Sequence, residues 1–298
     1  MSMSTSSKFT WEQMRDYWLS HSVAWSDLDY QVDPDALANV IHPGMPRWLN
    51  EYYAHFQRWT FERLLSQLPP PRPGARALDV GCGAGRWSRL LDSHGYTTTG
   101  IDLQLTLLQE AKRQSPHMSF LCTPIQDFQD TEGFDLVSTV TVLQHLPFDE
   151  QDVAVRQIRR LVKAGGHALI LENLRDRAPH MFSHTVAAWT RLFESAGFAR
   201  VALQRYDYSP LLRSQHAATR AIRGLVGHRR YVVSNGTSDV EARTAQSRSM
   251  GSDRSALRRA YNAQLRVCVW LDSLIEPELL RRNLPLPTLH CGFLFKAI

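Results

Sequence analysis

The sequence predicts an α/β fold in which a seven-stranded, mostly parallel sheet is covered by helices on both faces. From Arg76 onward, short apolar runs alternate with amphipathic helical patterns, and this alternation is typical of parallel sheets. A glycine-rich turn follows the first apolar run, and an acidic residue ends the second. A chain of 298 residues is also long enough to bury a full core around such a sheet.

The individual strands and helices follow from periodicity. Runs of apolar and β-branched residues predict strands near residues 76–80, 97–101, 118–122, 134–140, 167–172, 199–205 and 291–296. Apolar side chains at helical spacing predict helices near residues 86–94, 104–114, 150–162 and 185–196. Each of these helices is therefore expected to connect one strand to the next across a face of the sheet.

The segment before the first strand, residues 9–68, carries a mostly helical pattern that is rich in aromatic residues. Two roles are open to these aromatic side chains. They can pack the helices onto the sheet, or they can form apolar walls that keep water out of a ligand cleft. The proline-rich stretch 69–74 is a stiff connector, and it ends a predicted N-terminal helical cap at residues 1–73.

A long segment separates the sixth and seventh predicted strands. We predict that residues 74–208 and 289–298 form the core and that residues 209–288 form a mostly helical insertion, because structureless loops of this length are uncommon. Apolar side chains recur over residues 254–282 and predict one long helix there. The insertion is also rich in arginine. Three roles stay open for it: a mobile lid over a substrate, a contact with a second copy in a homodimer, and a solvated basic face.

Composition and charge narrow the class of protein. No apolar run approaches the about 20 residues that cross a bilayer, and the N-terminal residues lack the apolar core of a secretion signal. We therefore expect a cytoplasmic protein without a membrane partner. The four cysteines have no Cys-x-x-Cys spacing, so we expect reduced thiols and no metal site. The net charge of +5 rests on an excess of arginine, which genomic composition explains as well as phosphate recognition does.

The turn after the first strand carries the pattern that points to a ligand. Residues 79–85 read Asp-x-Gly-x-Gly-x-Gly. A side chain at Gly81 or Gly83 would occupy space that a flat ligand needs, so glycine there lets the backbone approach it. The acid before the turn, Asp79, suits a ligand with a cationic amine. The acid that ends the second strand, Asp102, stands about 20 positions further on, as expected of a carboxylate that accepts hydrogen bonds from a ribose diol.

Two further stretches complete a family pattern. Residues 134–147 read FDLVSTVTVLQHLP, and residues 163–172 read KAGGHALILE. Together with the glycine turn and Asp102, and in the same order along the chain, they resemble the motifs of class I S-adenosylmethionine (SAM) dependent methyltransferases. The resemblance covers the predicted core. It implies a Rossmann-like sheet that binds SAM as its cofactor and releases S-adenosylhomocysteine as a product.

The resemblance also implies which residues contact the cofactor. The residues expected beside its methionine part are Asp79, Gly81, Gly83, Thr139 and Val140. The residues expected around its ribose and adenine are Asp102, Leu103, Ile125, Gln126 and Asp127. Among the second group, Asp102 is expected to bind the ribose hydroxyls. The chain departs from the family pattern at Pro124, where an acid is common.

His145 is the candidate catalytic residue. A histidine titrates near neutral pH and can take a proton from a hydroxyl, carboxyl or ammonium group. The alternative is that His145 only shapes the cofactor pocket. Glu172 and Asn173 end the fifth strand, and they are expected to face the cleft at the carboxyl edge of the sheet.

The implied activity is methyl transfer to an oxygen or nitrogen atom of a small organic molecule or short peptide, in specialised (natural-product) metabolism. After the fourth strand the chain has Thr139–Val142 in place of the Asn/Asp-Pro-Pro-aromatic loop of amino-directed nucleic-acid methyltransferases. No RNA-binding module is visible, so no nucleic-acid partner is expected. Two alternatives stay open: an RNA- or protein-modifying methyltransferase that uses the arginine-rich surface, and a non-catalytic SAM-binding scaffold.

Overall fold

The structure is a computed structural model that describes residues 8–25, 33–37, 46–176, 178–226 and 252–298. The first half of the predicted insertion falls partly on residues 227–251, which lie outside the described residues. Backbone contacts divide the chain into two units. The first unit combines Met1–Asp207 with Asn283–Ile298, and the second is Tyr208–Arg282.

A seven-stranded sheet forms the centre of the first unit. Its strands are β1 (Arg76–Val80), β2 (Thr97–Asp102), β3 (Ser119–Cys122), β4 (Phe134–Val140), β5 (Val162–Asn173), β6 (Phe198–Tyr206) and β7 (His290–Ala297). They are arranged in the order β3-β2-β1-β4-β5-β7-β6. The pairs among β1 to β5 are parallel, and β7 runs antiparallel to both β5 and β6. The predicted seven-stranded, mostly parallel sheet is confirmed.

Among the described residues of the first unit, six α-helices accompany this sheet along the chain. They are α1 (Trp11–Trp25), α2 (Arg47–Leu65), α3 (Arg86–Ser93), α4 (Leu105–Gln114), α5 (Phe148–Leu161) and α6 (Val186–Ser195). The sequence near their first residues explains where α5 and α6 begin. The Thr185 hydroxyl accepts a hydrogen bond from the Ala188 N–H and caps α6, and two acids occupy the first turn of α5. Within the described residues, no helix has both the length and the hydropathy of a membrane span.

The core lies on both faces of the sheet. On one face the Phe193 ring of α6 stacks on the Phe295 ring of β7, with ring centroids 4.4 Å apart. On the other face α2 packs closely over β7 at Gly292. A Cβ atom at that glycine would lie 2.7 Å from a methyl carbon of Leu64 and 2.9 Å from one of Thr60. The absence of a side chain at Gly292 therefore sets how near α2 lies to the sheet.

Strand β5 is longer than predicted, because the glycine pair at its start is not a turn. The strand pairs Phe134 with Val162 but Leu136 with His167, so the register shifts between those pairs. The extra residues include Gly166, where a Cβ atom would lie 3.0 Å from two backbone carbonyl oxygens. Glycine thus accommodates a bulge inside the strand, and β5 extends back to the end of α5.

In the second unit the structure describes two helices, α7 (Pro210–Val226) and α8 (Ser252–Arg282). The start of α7 is held by two buried carboxylates of α8. Glu276 accepts hydrogen bonds from the N–H groups of Tyr208 and Ser209, both at 2.7 Å, and Asp272 accepts from those of Leu211 and Leu212 at 3.0 and 2.8 Å. The first N–H groups of a helix have no partner within it and attract negative charge. These two acids therefore fix where α7 begins.

The long helix predicted over 254–282 is present, but its buried residues include acids beside the apolar Leu265 and Leu280. Leu274 is 62% exposed and Ile275 is 43% exposed, whereas Asp272 and Glu276 are fully buried. The physical reason is that the N–H groups at the start of α7 need hydrogen-bond acceptors. Burying Asp272 and Glu276 on that side of α8 supplies these acceptors, and apolar side chains could not.

Replacing Glu276 by glutamine is expected to lower the free energy of unfolding by about 1.5–3 kcal/mol, as is usual for hydrogen bonds to a charged partner. The amide oxygen can serve only part of the acceptor role, and the amide NH₂ group faces an N–H donor. Urea denaturation of the full chain measures the change. The control is Glu278→Gln on the same helix, because Glu278 pairs with Arg281 and Arg282 at the surface, where ion pairs contribute little. Equal effects of the two substitutions would contradict the capping role.

Candidate active site

A pocket lies at the carboxyl ends of β1, β2 and β4, the edge at which open α/β sheets bind ligands. Most of the predicted site residues line it: Gly81, Gly83, Asp102, Leu103, Ile125, Gln126, Val140 and His145. Three predicted residues, Asp79, Asp127 and Thr139, do not. Among the described residues, no cluster of histidine, cysteine and acidic side chains has the arrangement of a metal site.

The glycine turn between β1 and α3 adopts backbone angles that favour glycine. Gly81, Gly83 and Gly85 have φ angles of +69°, +53° and +82°. A Cβ atom at Gly81 would lie 2.3 Å from a methyl carbon of Val142, so a protein side chain occupies the space that the sequence assigned to a ligand. At Gly83 the nearest atom, in Leu107, would be 3.6 Å away, and the positive φ is the constraint there. Only Gly83 therefore leaves room beside the backbone for a ligand.

Asp102 ends β2 with its carboxylate at the pocket. One oxygen accepts a hydrogen bond from the Gly83 N–H at 2.9 Å, and the other accepts from the Gln104 N–H at 2.8 Å. Burial raises the pKa of Asp102, and the backbone N–H groups oppose this shift. Each carboxylate oxygen has a second lone pair. The group is thus oriented by the backbone and still able to accept hydrogen bonds from two hydroxyls.

Two glutamine side chains in the pocket have unused hydrogen-bonding atoms. Gln104 is 3% exposed, and neither its amide oxygen nor its amide nitrogen has a partner among the described residues. Gln126 donates to Glu150 at 2.9 Å, while its buried Oε1 atom has no partner in the same part of the chain. Buried polar groups are normally hydrogen-bonded, because losing water without a replacement is costly. These atoms therefore fit a polar ligand. Gln104 was not predicted, since sequence alone does not reveal its burial.

The two roles left open for the N-terminal aromatic residues are divided between two helices. Trp11 and Trp18 of α1 line the pocket. In α2, by contrast, Phe61 stacks on Trp87 with centroids 4.7 Å apart and helps to bury the sheet. The α1 aromatics supply apolar walls to the pocket, and the α2 aromatics supply the core.

His145 lies on the pocket wall, but both of its ring nitrogens are occupied. Nδ1 lies 3.2 Å from the His180 carbonyl oxygen, and Nε2 lies 3.1 Å from Nε2 of Gln144. The Asn173 N–H donates to the Gln144 amide oxygen at 2.9 Å, so the Gln144 NH₂ group must face His145 and donate to it. His145 is therefore the neutral Nδ1–H tautomer. Burial lowers its pKa to about 4.

The ring of His145 is also enclosed by other rings. The Trp18 ring meets it edge-on at 4.9 Å between centroids, and the His180 ring stacks on it at 5.4 Å. Tyr17 in turn stacks on His180 at 4.8 Å. The cluster favours the second role considered for His145, that of shaping the pocket, because its lone pair is already used and its rotation is blocked.

Asp79 lies beneath the glycine turn and not in the pocket. It is 1% exposed, and its oxygens accept hydrogen bonds from the hydroxyls of Ser88 at 2.7 Å and Ser138 at 3.1 Å. Burial raises the pKa of Asp79 to about 7. This carboxyl group joins the start of α3 to β4, and it touches the pocket only through the turn above it.

Glu172 was expected to face the cleft, and it instead binds the turn that follows β4. Its Oε1 atom accepts from the N–H groups of Val142 and Leu143 at 3.1 and 2.9 Å, and Oε2 accepts from that of Gln144 at 3.2 Å. The Thr139 hydroxyl adds a fourth bond at 3.3 Å, which explains why this residue turns away from the pocket. Burial raises the pKa of Glu172 to about 7 despite these donors.

Comparison with known proteins identifies the domain that contains this pocket. Residues 78–170 match the family model described as a methyltransferase domain. This part of the chain is a methyltransferase domain. This chain shares its fold with magnesium protoporphyrin IX methyltransferase from Synechocystis PCC 6803, with a TM-score of 0.50 and 15% identity over 64% of this chain and 89% of that chain.

Curated relatives match part of this chain. Nodulation protein S of Rhizobium tropici is 30% identical over 139 residues, which cover 45% of this chain and 58% of the relative. The ubiquinone biosynthesis O-methyltransferase of Coxiella burnetii is 34% identical over 98 residues, which cover 31% of this chain and 41% of the relative. The chain thus spans about half the length of the curated relatives it matches.

The raised pKa of Asp79 predicts a pH dependence of stability. The folded protein keeps a proton on this carboxyl up to about pH 7, whereas the unfolded chain releases it near 3.8. The free energy of unfolding therefore falls as pH rises through that window. Asparagine can keep both hydroxyl partners and removes the titration. The free energy of unfolding of Asp79→Asn, relative to that of the unsubstituted protein, is expected to rise by on the order of 1–3 kcal/mol when the pH is raised from about 5 to about 8. Urea denaturation at the two pH values measures this change.

Asp135→Asn is the matched control, because the pKa of Asp135 is shifted in the opposite direction to that of Asp79. Partial burial opposes the shift, but the Arg76 N–H and the Lys163 ammonium hold the pKa of Asp135 below its usual range. Its stabilising contribution is present at neutral pH and is lost only as pH falls through that lowered value. Asp135→Asn is therefore expected to cost stability at both pH values, and a gain like that of Asp79→Asn in this control would refute the interpretation.

Proposed function

We propose that this chain is a SAM-dependent methyltransferase that acts on an oxygen or nitrogen atom of a small organic molecule or short peptide. The observation that carries the proposal is the oriented Asp102 carboxylate beside the unpartnered Gln104 amide, inside the pocket of a methyltransferase domain. A nucleoside offers hydroxyls to the carboxylate and further polar atoms to the amide. When bound, SAM supplies an electrophilic methyl group.

The pocket residues fit the parts of this cofactor. Asp102 would accept hydrogen bonds from the ribose hydroxyls, and Leu103 and Ile125 would contact the adenine ring. The free Oε1 atom of Gln126 is suited to an amino group. The backbone at Gly83 has room for close approach. Asp79 and Thr139 are positioning residues in this proposal, because they hold the turn and Glu172 and do not line the pocket.

The acceptor is proposed to be small because the pocket has apolar walls. Trp11 and Trp18 narrow the space beside His145 and limit access of water. One relative is named for ubiquinone biosynthesis, and this supports a small organic acceptor. We extend the proposal to natural-product metabolism in the cytoplasm. His145 serves here as a wall of the pocket and not as the base.

Calorimetry with S-adenosylhomocysteine tests the cofactor site. Asp102→Asn is expected to weaken binding by about 10- to 100-fold, because hydrogen bonds to a charged partner contribute about 1.5–3 kcal/mol. Asp127→Asn is the control, since Asp127 is exposed and does not line the pocket. Unchanged affinity in the Asp102 variant would contradict the assignment of the ribose site.

The acceptor class is tested with SAM that carries a labelled methyl group. The chain is incubated separately with panels of phenols, carboxylic acids and amines, with short peptides, and with total RNA. Label transferred to a small molecule or peptide supports the proposal. Label transferred only to RNA, with a yield that falls steeply as salt rises, favours the nucleic-acid alternative. Tight S-adenosylhomocysteine binding with label transferred to none of these favours the scaffold alternative.

A further inference from the structure

A second histidine at the same edge of the sheet has the opposite environment from His145. His290 begins β7, and its Nδ1 atom lies 2.9 Å from Oδ2 of Asp207, the residue that follows β6. Both residues are buried, with exposed fractions of 9% and 3%. The pair joins positions 83 residues apart in the chain, so no local sequence pattern indicates it.

The sheet fixes where this pair lies. In the strand register, His290 stands opposite Asn173 at the end of β5 and opposite Tyr206 at the end of β6. The Tyr206 ring stacks on the imidazole, with centroids 5.2 Å apart and 19° between planes. Asp207 has a φ angle of +59°, in the left-handed region that is uncommon for residues other than glycine. Ring stacking and backbone geometry therefore both fix the orientation of the pair.

The pair leaves one imidazole nitrogen available. An ionised carboxylate can only accept a hydrogen bond, so Asp207 selects the tautomer that carries its proton on Nδ1. The lone pair then lies on Nε2. No hydrogen bond to this atom comes from the part of the chain that the structure describes, and the side chain keeps 11% of its surface accessible. His145, by contrast, has both nitrogens in use.

A short series of contacts joins this pair to the pocket wall. His290 is the ladder neighbour of Asn173, whose N–H donates to the Gln144 amide oxygen. Gln144 in turn donates to His145, which lines the pocket. The pair therefore lies at the carboxyl edge of the sheet on the side of β5 away from the glycine turn and Asp102. The proposed function assigns the pocket beside β1 and β2 to the cofactor, which leaves this side of the edge for the acceptor.

We propose that His290 is the proton acceptor for the methyl-transfer reaction and that Asp207 is its positioning residue; this inference rests on the proposed function. The acceptor oxygen or nitrogen forms a bond to the methyl carbon while the carbon–sulfur bond breaks and its electron pair stays on sulfur. The proton of the acceptor group moves to Nε2 of His290. The Asp207 carboxylate stabilises the imidazolium formed, and water takes the proton after product release.

Nitrogen-15 NMR of the histidine rings tests the pair without turnover. In the protein saturated with S-adenosylhomocysteine at about pH 8, His290 is expected as the neutral Nδ1–H tautomer, assigned by the signals lost in His290→Gln. Addition of phenol, which keeps its hydroxyl proton at this pH, is expected to shift the Nε2 signal. Benzene, which lacks the hydroxyl, is the matched control and is expected to leave it in place. An Nε2–H tautomer, or no shift with phenol, overturns the proposal.

Asp207→Asn separates the positioning residue from the proton acceptor. Asparagine can donate to Nδ1 through its NH₂ group and so select the wrong tautomer. The share of His290 protonated on Nε2 is expected to rise in this variant, while affinity for S-adenosylhomocysteine is expected to stay unchanged. A spectrum identical to that of the unsubstituted protein contradicts the role of Asp207.

Turnover with a small-molecule acceptor from the labelled-methyl assay supplies the kinetic test. His290→Gln is expected to lower kcat by about 10²- to 10⁴-fold, with KM for SAM and the urea midpoint little changed. His167→Gln is the control, because His167 is a half-buried histidine nearer the other end of β5. Equal kcat in the His290 variant and the unsubstituted protein overturns the proposal.

The two proposals fail in different ways. If S-adenosylhomocysteine does not bind to the unsubstituted protein in calorimetry, the proposed function fails and the proton-transfer role fails with it. If S-adenosylhomocysteine binds and Asp102→Asn weakens its binding, but His290 is protonated on Nε2 or its Nε2 signal does not respond to phenol, only the role of His290 is lost.

Discussion

The carboxylate of Glu172 holds the turn after β4, and the pocket depends on that turn. Three consecutive N–H groups, from Val142 to Gln144, donate to its two oxygens. Val142 then fills the space beside Gly81 and so contacts the glycine turn. Gln144 reaches back to the end of β5, and His145 forms the wall. One buried acid thus connects β4, β5 and the turn that follows β1.

Two opposing effects act on this acid. Removal of a carboxylate from water is costly, and burial raises the pKa of Glu172 to about 7. Hydrogen bonds from backbone donors favour the charged form, and such bonds contribute about 1.5–3 kcal/mol each. Asp79 shows the same conflict under the neighbouring turn, with a pKa of about 7 as well. At this edge of the sheet, the buried carboxyl groups of Asp79 and Glu172 each hold a segment of the chain next to the pocket.

The sequence predicted the parts of the molecule that local patterns encode. Apolar runs and glycine turns placed the strands, and the spacing of Asp102 from the glycine turn placed the one carboxylate that faces the pocket. The environment of His145 could not be predicted in this way, because the partner of its Nδ1 atom is a carbonyl oxygen 35 residues away in the chain. The same limit applies to Gln104, whose side chain matters only because it is buried without a partner. Burial and long-range partners are properties of the fold, and no short motif carries them.

The comparison of the two histidines shows how far residue type alone can indicate chemistry. His145 belongs to a recognisable motif, yet a glutamine amide uses its lone pair and burial lowers its pKa to about 4. His290 belongs to no motif, yet a carboxylate orients it and its Nε2 atom has no hydrogen bond from the described residues. A general base needs an unshared lone pair and a partner that stabilises its charged form. At this edge of the sheet those two conditions meet at the start of β7, because the antiparallel last strand brings His290 beside the residue that ends β6.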